Sequence, residues 1–343
     1  VFEGATSEEV AELEPVWGAG GERARALDDV LARHPDNRPA RMLRAGRYAS
    51  GDIRGARGDV AYLKGHGPML AGTEALAIEV ERAAGDGQGE IGELKVAIAM
   101  QGKLSLAAQR QEGLAPVACE MARIKELDGD ITGAVRAWQG ALQSASGRNR
   151  DLIALAYAEF QLREGFADEA VDTLDGVVQR EGAYAALKLS ARELRVIARC
   201  LGKDSEVRKE CVEVLSGAYD VPGRDRVLTA EVALLAETLA YKQGSASERA
   251  LTLGFLRESA KDLQGTTLTV EGAIQVILED KEQGKVSKAV GDALASAPGL
   301  EWAQWSGFVL SAHGLVDGYD YGKRIPEKTI AGRLMRGVAG GGG

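Results

Sequence analysis

Residues Gly87-Gln88-Gly89-Glu90-Ile91-Gly92 carry the glycine spacing with which a strand-to-helix turn cradles a pyrophosphate. That chemistry needs a β-strand first, so that the glycines bend the chain at a helix N-terminus and leave amides facing the phosphates. Here the preceding Glu74 to Ala84 is rich in Ala and Glu and reads as helix, so the segment reads as a loop between helices. Within it Asp86, Gln88 and Glu90 alternate as in a calcium loop, but the later acidic ligand that closes such a loop is missing. The histidines His34, His66 and His313 lie far apart, and none forms a metal pair or adjoins a serine or cysteine in a nucleophile motif. Cys119, Cys200 and Cys211 are too few for a disulfide framework. Cys200 and Cys211 flank a predicted turn at Gly202 and read either as buried thiols or as a facing redox pair. Arg57-Gly58-Asp59 spells an adhesion tripeptide inside a predicted helix, where it is not displayed as a loop. The 51 Asp and Glu residues can supply a catalytic pair in space, yet no spacing selects one. No cofactor or metal is expected.

The elements that would position such groups follow a repeat. Gly129, Ala134 and Trp138 are matched by Gly165, Ala170 and Leu174 at one constant offset of 36 residues. Gly51-Asp52-Ile53-Arg54-Gly55-Ala56 returns almost unchanged as Gly129-Asp130-Ile131-Thr132-Gly133-Ala134. A weaker landmark is Gly202, after which Val207 stands where a small residue is expected. Two antiparallel helices of about a dozen residues with short turns need roughly 34 to 40 residues, and neither hides its apolar stripe without a neighbour. Ala134, Ala141, Ala158 and Ala170 are small where backbones should approach, while Trp138, Tyr157, Phe160 and Leu174 fill the gaps.

These segments resemble tetratricopeptide repeats. The family's pattern of glycine, small residue, aromatic, small residue and leucine maps onto Gly129, Ala134, Trp138, Ala141 and Leu142, then onto Gly165, Ala170, Leu174, Val177 and Val178. The match is good from Gly113 to Val178, fair over Ala24 to Leu63 and faint elsewhere; Arg44 falls where the unit around Gly51 should have a small residue. The resemblance implies an all-α fold, an α-solenoid of stacked antiparallel helical hairpins. It also implies a concave groove lined by the first helix of each pair, which by position selects Arg123 and Glu126, Glu159 and Arg163, and Arg192 and Arg199. An arginine-lined groove suits an acidic peptide or a carboxylate terminus; alternatively these residues form solvated faces paired with nearby Glu or Asp.

Composition agrees with helices: 45% of residues are hydrophobic and only 5% aromatic, with no sustained β alternation. A net charge of −9 argues against a nucleic-acid partner, and no apolar run approaches a bilayer span. Along the chain, residues 1–21 read as an N-terminal helix and loop that stops at Pro15. Residues 22–220 read as the helical repeats, 221–336 as divergent repeats with a cap, and 337–343 as a flexible glycine-rich tail. Helices are expected over Thr73 to Ala84, Ile91 to Met100, Arg226 to Tyr241 and Ser247 to Leu263. Trp302, Trp305 and Phe308 share a helix face as a core-closing cap or as an interface. The chain opens on Val1, which fits a trimmed initiator or a removed targeting segment, hence either a cytoplasmic or an extracytoplasmic setting. The expected function is a non-enzymatic scaffold or adaptor for a protein or peptide partner, in a setting such as an envelope, secretion or motility assembly. A helical enzyme with carboxylate catalysts and a structural subunit of a larger particle are the alternatives.

Overall fold

Every helix needs its first amides and last carbonyls satisfied, and this chain does so with a recurring turn. In the computed structural model, which describes residues 2–19, 23–48, 52–103, 115–204, 206–263, 271–278, 283–316 and 319–339, no strand occurs among the described residues. Gly85 and Gly129 hold left-handed φ values of 68° and 79°, and the amide of the following aspartate donates back to the helix just ended. That aspartate then caps the next helix. Asp86 Oδ1 accepts from the Gly89 amide, Asp130 Oδ1 from Gly133 and Asp52 Oδ1 from Gly55, each at 2.9 Å. The second glycine is there for room: a Cβ on Gly133 would lie 2.0 Å from Asp130 Oδ2.

The glycine-rich stretch at 85–89 thus makes the same turn as Gly129–Gly133, and its helix starts at Gly87, four residues before the expected Ile91. A comparable turn follows Leu201, with a shift in register. Lys203 rather than Gly202 adopts the left-handed conformation, at φ 62°, and the Asp204 amide donates to Arg199 O at 3.1 Å. The connection is three residues longer than its relatives (Lys203 to Cys211 against Gly129 to Ala134), so Cys211 and not Val207 takes the small buried position. Pro15 does not end a helix: it lies in the first turn of one, where a missing amide costs nothing.

The chain forms two compact units, Val1–Ala137 and Trp138–Gly343. In the first, α1 (Ser7–Ala11), α2 (Glu14–Trp17), α3 (Arg23–Arg33), α4 (Arg38–Tyr48), α5 (Ile53–Gly65), α6 (Thr73–Ala84), α7 (Gly87–Gln101) and α8 (Val117–Leu127) follow in order. From α2 to α7 each helix packs against its successor, and α7 packs against α8. The unit boundary falls within α9 (Ile131–Ser144).

The second unit continues with α10 (Gly147–Glu164), α11 (Ala167–Val178), α12 (Ala185–Leu201), α13 (Val207–Ala218), α14 (Arg226–Gln243) and α15 (Ala246–Leu263). Then come α16 (Glu271–Leu278), α17 (Gln283–Ser296), α18 (Glu301–Ala312), α19 (Tyr321–Arg324), α20 (Ile330–Leu334) and a π-helical turn, Met335–Ala339. Successive helices from α10 to α15 pack in series, and the alternate helices α10, α12 and α14 lie side by side.

Equivalent positions are buried alike. Ala134, Trp138 and Ala141 have counterparts at the same spacing in Ala170, Leu174 and Val177, in Ala56, Val60 and Leu63, and in Cys211, Leu215 and Ala218, all below 9% exposure. The copy on α7 reads Glu90, Leu94 and Ala97, with a carboxylate in the small residue's place.

Candidate functional site

The α10, α12 and α14 row positions most of the side chains selected for the groove. Its last member, α14, has no solvent face between Leu228 and Ala240, because α12, α13, α15 and α18 all pack on it. Helix α20 lies against α10 and α12, so the row is covered by later parts of the same unit.

The six selected residues have different fates. Arg192 is exposed on α12. Arg199 is held by Asp204, with Nε donating to Oδ2 at 2.8 Å, and by Glu210. Glu159 and Arg163 are half-buried on α10, and the Arg163 carbonyl accepts from Arg333 Nε. In the first unit, Arg123 donates through Nε and Nη2 to the two oxygens of Glu90 at 2.9 and 3.0 Å and pairs with buried Glu126 at 2.8 Å. Those ion pairs raise the Arg123 pKa against the opposing effect of burial. Of the aromatic stripe, Trp305 and Phe308 are 1% and 0% exposed and meet edge to face, closing the second unit's core, while Trp302 is half-buried. Neither Trp305 nor Phe308 offers a surface to a partner.

Sequence reasoning missed three buried glutamates of the second unit. Glu193 on α12 is fully buried, accepts from Thr229 Oγ1 at 2.6 Å, and is pushed up to about 7, chiefly by desolvation. Glu231 on α14 is likewise raised, first by burial and then by Glu301, Asp225 and Glu159 around it. Glu237 meets Arg249 Nε at 3.2 Å and His313 Nε2 at 2.8 Å, and the His313 ring stacks on Tyr241 at 4.0 Å. The available signal was a glutamate at two places in an α14 run with no polar face.

His34 pairs with Glu12 at 2.8 Å and His66 stacks on Tyr62 at 4.0 Å. Among the described residues no group of three His, Cys, Asp or Glu is placed to hold a metal ion. Cys200 and Cys211 are buried, free thiols, and desolvation pushes Cys200 up to about 12 and raises Cys211 as well. Arg57-Gly58-Asp59 lies inside α5, with Asp59 buried between Arg41 and Arg44, each 2.7 Å away. Arg44, expected to be a small residue, thus partners a buried carboxylate. No described helix is long and apolar enough to cross a membrane.

Two open cavities accompany the second unit. One of about 480 Å³ is lined by Tyr219–Arg224 and Arg226, the other, of about 550 Å³, by Tyr241, Arg249 and Leu253 with small neighbours. Comparisons of the chain with family models, with curated proteins and with solved structures returned no match.

Proposed function

We propose that this chain is a non-enzymatic scaffold built from tetratricopeptide-like helical repeats, which holds a helical or extended segment of another protein. The observation that carries the reading is the row α10, α12 and α14, which already receives helices of its own chain, α20 on α10 and α12 and α18 on α14. A surface of that kind takes helices by apolar contacts at helical spacing. The shared burial of the Ala-large-small triplets supports the repeat, since stacking hairpins can hide their stripes only against their neighbours.

The enzymatic alternative draws on Glu193 and Glu231, whose raised pKa values suit general acids. Neither lines either open cavity, and a buried carboxyl without substrate access favours the interaction reading. The test is panning of a displayed random-peptide library on the full chain against the heat-unfolded chain as control. A consensus enriched only on the folded protein is expected. Equal enrichment on both, or no consensus, would remove the scaffold reading.

A further inference from the structure

The end of α10 is built as a receptor. Gly165 closes the helix at φ 86°, and a Cβ there would lie 2.7 Å from Arg333 Nη1, so the bare Cα face is the seat of a guanidinium. Arg333 Nε donates to the Arg163 carbonyl, one of the acceptors that a helix C-terminus leaves open. Beside it the Glu164 side chain is 7% exposed and pairs with Lys328 through Oε2 at 3.1 Å, while Oε1 has no hydrogen-bond partner. The site therefore offers a carbonyl, a buried carboxylate with one unused oxygen, and a flat glycine surface. The carbonyl and the carboxylate favour a cationic donor, and the glycine surface leaves room for its head.

The segment that fills it fits imperfectly. Ala331, Leu334 and Met335 are buried at 2%, 0% and 9% and supply its apolar contacts, and Lys242 Nζ donates to Val338 O at 2.6 Å. Yet α20 has five residues before it loosens into a π-helical turn, too short to hold itself. Gly332 and Gly337 lower its helix preference further. Gly332 is enforced by the tether: a Cβ there would lie 2.2 Å from Pro326 O. A helix arriving without that proline turn escapes the constraint, and an arginine at the place of Lys328 can engage both Glu164 oxygens.

Resting on the scaffold reading, we propose that residues 328–339 are a tethered stand-in for a basic amphipathic helix of another protein, which binds at Arg163, Glu164 and Gly165 by displacing them. The partner carries two cationic side chains at the spacing of Lys328 and Arg333, with leucine after the second.

The probe is a fluorescein-labelled peptide of residues 328–339, without the proline turn, carrying Lys328→Arg, Gly332→Ala and Gly337→Ala, titrated into the full chain and followed by anisotropy. Leu334→Asp in the chain should release the resident segment and tighten peptide binding about tenfold or more, because the competent fraction rises. Glu164→Gln in the chain, or Arg333→Glu in the peptide, should weaken it. Absence of saturable binding to a Leu334→Asp chain that melts like wild type would overturn the proposal. Should that variant fail to fold, hydrogen exchange on the wild type decides. Amides of Ala331 to Ala339 exchanging faster than those of Trp305 to Leu310 are expected, and one common rate overturns it. A wild-type dimer in light scattering that Arg333→Glu abolishes would assign the site to a second copy and overturn the foreign partner. Library panning that succeeds while this peptide fails would leave the scaffold and remove only this site.

Discussion

Glu90 stands where the positions equivalent in burial and spacing carry alanine or cysteine, so Glu90→Ala separates the demands of packing from those of the charges. The residue is 2% exposed and its carboxylate accepts four hydrogen bonds, two from Arg82 at 3.0 and 3.1 Å and two from Arg123 at 2.9 and 3.0 Å. Breaking a buried pair by removing one partner costs about 3–5 kcal/mol. Arg82 is half exposed and regains water, and Arg123 keeps Glu126 at 2.8 Å, which brings the expected loss to about 2–3 kcal/mol. For a domain of this size that is a fall of about 5–10 °C in Tm.

The second arm of the cycle is Glu90→Ala with Arg123→Met, which removes both charges and leaves an apolar pair. It should return to within about 1 kcal/mol of wild type. The pH dependence has a definite sign. Burial alone would raise the Glu90 pKa, but the two guanidiniums outweigh it and hold it below the ordinary 4.5. The stabilisation is therefore present above pH 4.5 and is lost as pH falls through the lower folded value. Thermal melts by circular dichroism at pH 7 and at acid pH measure all of this. A neutral single variant, or a double variant no better than the single, would show that the ion pairs do not hold α6, α7 and α8 together.

Further expectations concern the second unit. Ala170→Trp, at a position with 0% exposure, should cost about 3 kcal/mol or more by overpacking, and an unchanged melt would contradict the repeat register. Glu193→Gln should flatten the stability profile between pH 4.5 and about 7, because a carboxyl raised in the folded state gives up stability as pH climbs through that range. The effect is at most about 3 kcal/mol, and parallel profiles for wild type and variant would count against a buried neutral Glu193. Cys200 and Cys211 should resist iodoacetamide until the unit unfolds, which mass spectrometry of alkylated peptides reports; labelling faster than unfolding would mean the thiols are accessible.

Much of the helical order was legible because local signals agreed with one another. The recurring Asp52–Ala56 and Asp130–Ala134 segments both lead into helices, and Thr73–Ala84 matches its predicted range. The turn at Gly85 was harder to see. Its glycine spacing matched a phosphate loop, and Glu90 concealed the small residue by which the other copies were found. The next turn was expected at Gly202, but its register was not legible, since a left-handed Lys203 carries no mark in the sequence. Charge pairing was the least legible layer. Arg123 and Glu90 lie 33 residues apart, and position on a helix face said nothing of which carboxylate each arginine would meet.

The glycine-aspartate connections have a practical consequence for building with this chain. Each satisfies the helix ends it joins within a few residues of itself, and Asp86 further accepts from Arg57 of α5 at 2.8 Å. Such joints are natural cut points, where a module can be copied, removed or exchanged while the splice stays chemically complete. The longer joint at Lys203 breaks that uniformity, and grafting the shorter Gly129–Gly133 version into its place would draw Cys211 and its helix into a new register.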